Sequence, residues 1–324
     1  MSMKRTFRGT LLAAFALTVL HPFNMRADQS PAYVALMHGR VEEATNLLRQ
    51  AIAADASDGR AHLLLCRTEY AQDRADAAVT ECEKAASAMP NDSDAQMWLG
   101  RALGMKASTA NPLAAFGIAR RVRSAFEKAV QLDPANVYAA SDLGQYYIAA
   151  PAIVGGGDDK LLRLAARLKT HSPARYHRLL ALLSQKNKDF EKAEAEFKLA
   201  VAAGKSPEAY TDLALFYQQQ NRPDEAAAAG ALALEADRSR STVEFDVASI
   251  LIAAKRSPEV AERAMRNYLS SPNQSDEAPV FKVHLELGKL LASRGNRAGA
   301  KAEYAAAVAL APNYEPARKA LGGV

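Results

Sequence analysis

The chain has 324 residues, with 41 Lys and Arg against 36 Asp and Glu, a formal net charge of +5, 24% charged and 7% aromatic residues. That balance excludes a disordered chain and a bundle of membrane spans, and abundant alanine with few aromatics favours close helix–helix packing over a β-sandwich. Four basic residues, Lys4, Arg5, Arg8 and Arg26, precede residue 28 and no acidic residue does; the remainder is nearly neutral, so charge gives no argument for nucleic-acid binding.

In chain order, residues 1–27 read as a secretory signal peptide. Lys4, Arg5 and Arg8 lead into an apolar stretch from Leu11 to Leu20, Pro22 ends any helix, and Ala27 offers a small residue before a cut. The predicted location is periplasmic or secreted. The apolar stretch is short for a bilayer span, no later run is long enough for one, and no Cys lies near the cut to carry a lipid anchor.

From residue 30 onward the chain repeats itself with a period of about 34 residues. Unit 30–58 keeps Gly39, Ala44, Leu48 and Ala51, and unit 59–92 has Leu65, Ala78, Ala85 and Pro90. Unit 93–136 has Leu99-Gly100, Phe126, Ala129 and Pro134, and unit 137–173 has Leu143-Gly144, Tyr147 and Pro173. Unit 174–206 has Leu180-Ala181, Ala193, Phe197 and Ala200, and unit 207–240 has Leu213-Ala214, Tyr217, Ala226 and Ala233. Unit 241–280 is degenerate, with Val247-Ala248 and Leu251; unit 281–314 has Leu287-Gly288, Leu291, Gly295, Ala300, Tyr304, Ala307 and Pro312. A short capping helix is expected over 315–321.

Small residues at fixed offsets let two helices approach, bulky ones fill the groove to the next helix, and the prolines break the chain between units. This pattern resembles the tetratricopeptide repeat and, with the export segment, an exported bacterial member of that family. The resemblance implies an all-α fold, a right-handed α-α superhelix of about eight helix-turn-helix units, with a concave wall lined by the first helix of each unit. Two units are long: about ten extra residues fall around Met105–Phe116, and about five in Pro151–Gly157. These insertions should lie near one another. Ser270–Pro279 is a looser stretch that could act as a hinge.

Motifs for chemistry are sparse. Gly155-Gly156-Gly157 before Asp158-Asp159-Lys160 lacks the strand and the Lys-Ser/Thr of a phosphate loop, and reads as a turn with Asp158 or Asp159 capping the next helix. His62, His177 and His284 share the fourth position of three separate units, which points to packing rather than to one metal site. No catalytic motif is present, so no enzyme activity, metal or cofactor is expected. Cys66 and Cys82 fall in one unit, facing the seam between its helices. In an oxidising compartment they would form a structural bridge; the alternative is two buried thiols.

Extrapolated to the concave wall, the repeat places Arg60, Arg67 and Tyr70 from the second unit and Arg101 from the third. It adds Tyr138 and Gln145 from the fourth, Arg175, Arg178 and Lys186 from the fifth, and Lys282 and Lys289 from the eighth. The wall is basic where the chain is not, which predicts a protein or peptide partner with an acidic segment. The predicted function is an exported binding scaffold or adaptor. The alternatives are an accessory subunit of a cell-envelope enzyme and a self-assembling structural protein.

Overall fold

The computed structural model describes residues 30–324, which form seventeen α-helices and no β-strand. The signal segment and its cut after Ala27 lie outside the described residues. Eight helix pairs follow one another. They are α1 (Pro31–Met37) and α2 (Val41–Ala54), α3 (Gly59–Ala71) and α4 (Ala75–Ala88), α5 (Ser93–Thr109) and α6 (Pro112–Leu132), α7 (Val137–Ala149) and α8 (Asp158–Leu168). Then come α9 (Pro173–Lys186) and α10 (Phe190–Gly204), α11 (Pro207–Gln219) and α12 (Pro223–Ala236), α13 (Thr242–Ala253) and α14 (Pro258–Leu269), α15 (Val280–Ser293) and α16 (Arg297–Leu310). A single helix, α17 (Glu315–Gly322), ends the array.

Local chemistry sets these boundaries. Asp58, Asp92, Asn136 and Ser206 each accept backbone amides at the start of a first helix, satisfying donors the helix itself cannot. Pro90, Pro134 and Pro312 sit in the turns between pairs. Pro173 instead opens α9, where its missing amide costs nothing. Packing follows the small-residue pattern. A Cβ on Gly100 would fall 2.4 Å from the Phe126 ring, one on Gly288 2.4 Å from the Tyr304 ring, and one on Gly144 2.5 Å from Leu179. Burying a side chain such as Phe126, Phe197 or Tyr304 contributes about 1.5–3 kcal/mol.

The longer insertion is helical rather than a loop: α5 has 17 residues and α6 has 21, against 13 and 14 in α3 and α4. The shorter one makes a 3-10 turn at Ala152–Val154. This turn rests on α6 just beyond the longer insertion, where the Tyr146 hydroxyl lies 2.9 Å from the Ala119 carbonyl and 2.8 Å from that of Val154. Gly157, with φ of 145°, takes the cap position of α8, so Asp158 and Asp159 fall in its first turn instead of capping it. Asp158 pairs with Lys186.

Successive first helices from α1 to α13 touch one another, which places them on the inner side of the stack. The stack also closes on itself. Val41 and Ala71 belong to the same buried cluster as Phe281, Val283 and Tyr314. Gly39, with φ of 71°, lets the turn after α1 press on α15, where a Cβ would fall 2.9 Å from that of Val280. Asp73, in the turn before α4, accepts from Lys282 Nζ at 2.6 Å and from the Tyr314 hydroxyl at 3.0 Å. The first and last units therefore cover part of each other's apolar faces, which an open stack would leave to a cap or a partner.

Candidate partner-binding wall

Residues 271–279, between α14 and α15, run across the inner side and contact the first helices α3 and α5. The Tyr268 hydroxyl fixes this strap: it accepts from the Ser275 amide at 2.8 Å and donates towards the Ala278 carbonyl at 2.8 Å. Gln274 bonds to the Leu269 carbonyl and to His38 Nδ1, and Asn273 to the Ser239 carbonyl. The strap then presents two carboxylates to the wall. Asp276, with its side chain 1% exposed, accepts Arg67 Nε and an Arg67 terminal nitrogen, both at 2.8 Å. Glu277 accepts from Arg101 at 2.7 Å, and Arg101 also donates to Asp142 at 2.6 Å.

Both guanidinium groups lie over the Trp98 ring, 5.0 Å and 4.8 Å from its centroid, and Tyr70 meets the same ring edge-on at 5.5 Å. Burial works against the Arg67 charge, yet the Asp276 carboxylate outweighs it and holds the guanidinium above its ordinary pKa. Burial likewise pushes the Tyr70 hydroxyl up.

Further along, the wall opens into a cavity of about 360 Å³ bordered by Tyr138, Arg175, Arg178, Asp212, Asp246 and Glu277. Arg175 lies over the Tyr138 ring at 5.2 Å, and Tyr138 is 54% exposed. Arg178 donates to Asp212 at 2.7 Å and to Ser141 at 3.0 Å. Burial lifts Asp142 and Asp212 above the usual carboxylate range in spite of their arginine partners. Asp246 is exposed at the cavity mouth but crowded by neighbouring protein; lost solvation first, then Glu277 and Asp212, push it up to about 6. Gln145 lines a second, shallower opening of about 270 Å³ beside Arg101 and Asp142.

The structure thus brings Arg67, Tyr70 and Arg101 together at one end of the wall, and Tyr138, Arg175 and Arg178 at the other, with Glu277 between. Four expected wall residues stand apart from these groups. Lys282 is tied to Asp73 at the closure, Lys186 to Asp158, and Lys289 to Glu286 on its own helix. Arg60 is exposed in the first turn of α3. The basic character expected of the wall is largely neutralised in place, because seven of its cations face carboxylates or, for Arg175, a ring face.

The carboxylates were missed, although the sequence carries a signal for them: Asp142, Asp212 and Asp246 all take the sixth position of their units. Arg101 and Arg178 come from the preceding units and meet the first two. The sixth unit offers Thr211 and Leu215 at the matching positions, and Asp246 is left without an arginine. A second missed register explains the histidines. His62, His177 and His284 each bond through Nδ1 to a glutamate 19 residues on, Glu81, Glu196 and Glu303, at 2.5, 2.7 and 2.6 Å. Each ring is thereby spent joining the two helices of its own unit. Cys66 and Cys82 form a disulfide between α3 and α4, with Cα atoms 5.2 Å apart.

Comparison with known proteins agrees with this architecture. Residues 35–103 match the family model described as tetratricopeptide repeat. Among solved structures, yeast Tom70 is similar with a TM-score of 0.52 at 15% identity, over 93% of this chain and 65% of that one. A thermophilic tetratricopeptide-repeat protein of Thermus thermophilus is similar at 22% identity over 66% of this chain and 92% of its own, with a TM-score of 0.43. The C-terminal part of a repeat-containing protein from Cytophaga hutchinsonii is similar at 16% identity, over 90% and 98%, with a TM-score of 0.41. The chain spans about two thirds of Tom70, and at 15% identity that likeness speaks for the fold alone. No curated protein sequence matches. Residues 35–103 thus resemble the tetratricopeptide repeat, and the eight stacked helix pairs have the architecture such repeats build.

Proposed function

We propose that this protein is an exported, non-catalytic scaffold that holds an extended, acidic segment of another protein on its concave wall. Tetratricopeptide-repeat folds generally serve protein–protein interaction, and the wall supports an acidic segment as the partner class. The observation that carries the proposal is the strap: the wall already holds a non-helical segment whose turn presents two adjacent acids, through a bidentate arginine and a second arginine over Trp98. The cavity beyond Glu277, with the exposed Tyr138 ring and Arg175, gives such a segment room to continue. Asp246, facing no arginine, suits a basic residue at that end.

Export is supported by the basic and apolar start of the chain and agrees with the Cys66–Cys82 bridge, a bond that persists in oxidising compartments. No helix among the described residues is long and apolar enough to cross a membrane. The test is a photo-crosslinker placed at Tyr138 in the exporting cell, with mass spectrometry of what is trapped, alongside a peptide array probed with the mature protein. Acidic extended peptides should bind best. Equal binding of neutral and acidic peptides would remove the acidic partner, and an empty crosslink would remove the wall as the binding surface.

A further inference from the structure

The strap fills the part of the wall best built to hold carboxylates. Arg67 reaches Asp276 from α3 and Arg101 reaches Glu277 from α5, so the two ends of the acidic pair are read by different units. The strap is also made like a ligand: residues 271–279 form no helix, Pro272 and Pro279 bracket the segment, and Asp276 and Glu277 reach the wall from a turn closed by the Ala278 amide on the Ser275 carbonyl, while Ala278 and the Tyr268 hydroxyl anchor its C-terminal end to the core. Building on the concave-wall reading above, we propose that this strap is a resident pseudo-ligand that gates the wall, and that an incoming acidic segment takes its place on Arg67, Trp98 and Arg101.

The exchange is physically reasonable because it replaces like with like. Pulling Asp276 out alone would leave Arg67 largely buried without its counter-charge, which is strongly unfavourable. A partner that supplies a carboxylate as the strap leaves incurs no such loss, and the balance then turns on ordering cost and local concentration. The geometry supplies a point of entry. Glu277 is 44% exposed and borders the open cavity, so a segment lodged against Tyr138 and Arg175 lies beside the outer of the two ion pairs. Exchange can begin at Arg101 and finish at Arg67. A closed strap also lowers the apparent affinity of any acidic partner in proportion to the fraction of time the wall is open.

The test uses the whole mature protein and a labelled synthetic peptide of residues 271–279. The wild type should bind it weakly. Glu277→Gln, which frees Arg101 at a half-exposed site, should bind it about tenfold or more tighter, and Asp276→Asn with Glu277→Gln tighter still. Arg101→Gln in the Glu277→Gln background should cancel the gain, and a peptide with both acids amidated should not bind. A folded Glu277→Gln protein with unchanged affinity overturns the proposal. Amide exchange in the wild type gives a second readout that needs no variant. The amides of Ser275 and Glu277 should exchange by local opening, faster than the cores of α13 and α15, and faster again with added peptide. Exchange only through global unfolding would make the strap a fixed part of the fold. Both measurements use only the chain's own segment, so they fail on the gate, whereas the crosslink from Tyr138 fails on the external partner.

Discussion

The two ends of the inner wall use the same side-chain types and reach opposite states. At the strap end Arg67 and Arg101 are matched by Asp276, Glu277 and Asp142, and the aromatic faces of Trp98 and Tyr70 are covered. At the cavity end Tyr138 stands half in solvent and Asp246 has no cation opposite it. The difference comes from the neighbours. The strap end receives a segment from far along the chain, while Asp246 at the cavity end depends on the preceding unit, where Thr211 and Leu215 stand in place of an arginine. Charge on a repeat wall therefore has to be counted with whatever folds across it.

Several substitutions can break or sharpen that contrast. The largest effect is expected from Arg67→Gln, which leaves Asp276 buried without a counter-charge and should cost about 3–5 kcal/mol in denaturant unfolding. Lys289→Gln, which removes only an exposed pair on one helix, should cost less than about 0.5 kcal/mol. Equal costs would mean that the strap is not held by its charges. Reducing the Cys66–Cys82 bridge frees a loop with a sequence separation of 16 and should cost about 3 kcal/mol, read as a lower melting temperature with reductant. Gly39→Ala puts a side chain into a left-handed turn pressed on Val280; a loss of about 1–2 kcal/mol is expected, located by faster amide exchange in α1 and α15.

At the cavity end the expected effect is small and depends on pH. The folded-state pKa of Asp246 is raised to about 6, so the folded chain binds the extra proton more tightly than the unfolded one. Its contribution is favourable below the unfolded carboxylate value near 4 and is lost as pH rises towards 6. Asp246→Asn should remove that slope and stabilise the protein at pH 7 by less than about 1 kcal/mol, since water reaches the group. A pH profile of stability unchanged by the substitution would place Asp246 in ordinary solvent.

Much of the helical plan was legible because helix pairing is a local matter. Gly100, Gly144 and Gly288 mark close approaches, and Pro90, Pro134 and Pro312 mark breaks, each within one unit or its neighbour. The lengths of the two insertions were legible for the same reason, although the longer one became extra helical turns. The state of the wall was not. Arg67 and Asp276 are 209 residues apart, and no repeat pattern relates them. The paired Asp and Glu residues do follow the repeat, at the sixth position and at 19 residues beyond each histidine, so that part of the charge pattern could have been found from acidic residues as readily as from basic ones.

By itself the sequence determined that small and bulky side chains recur at a spacing only paired helices can satisfy, and that two cysteines fall in one such pair. Tertiary structure alone decided that the stack curves until its ends meet and that its own acidic strap lies across the wall. The reason is physical: contacts within and between adjacent units are set by short-range spacing, whereas closure sums small rotations over eight pairs, and a sum of that kind is written at no single position.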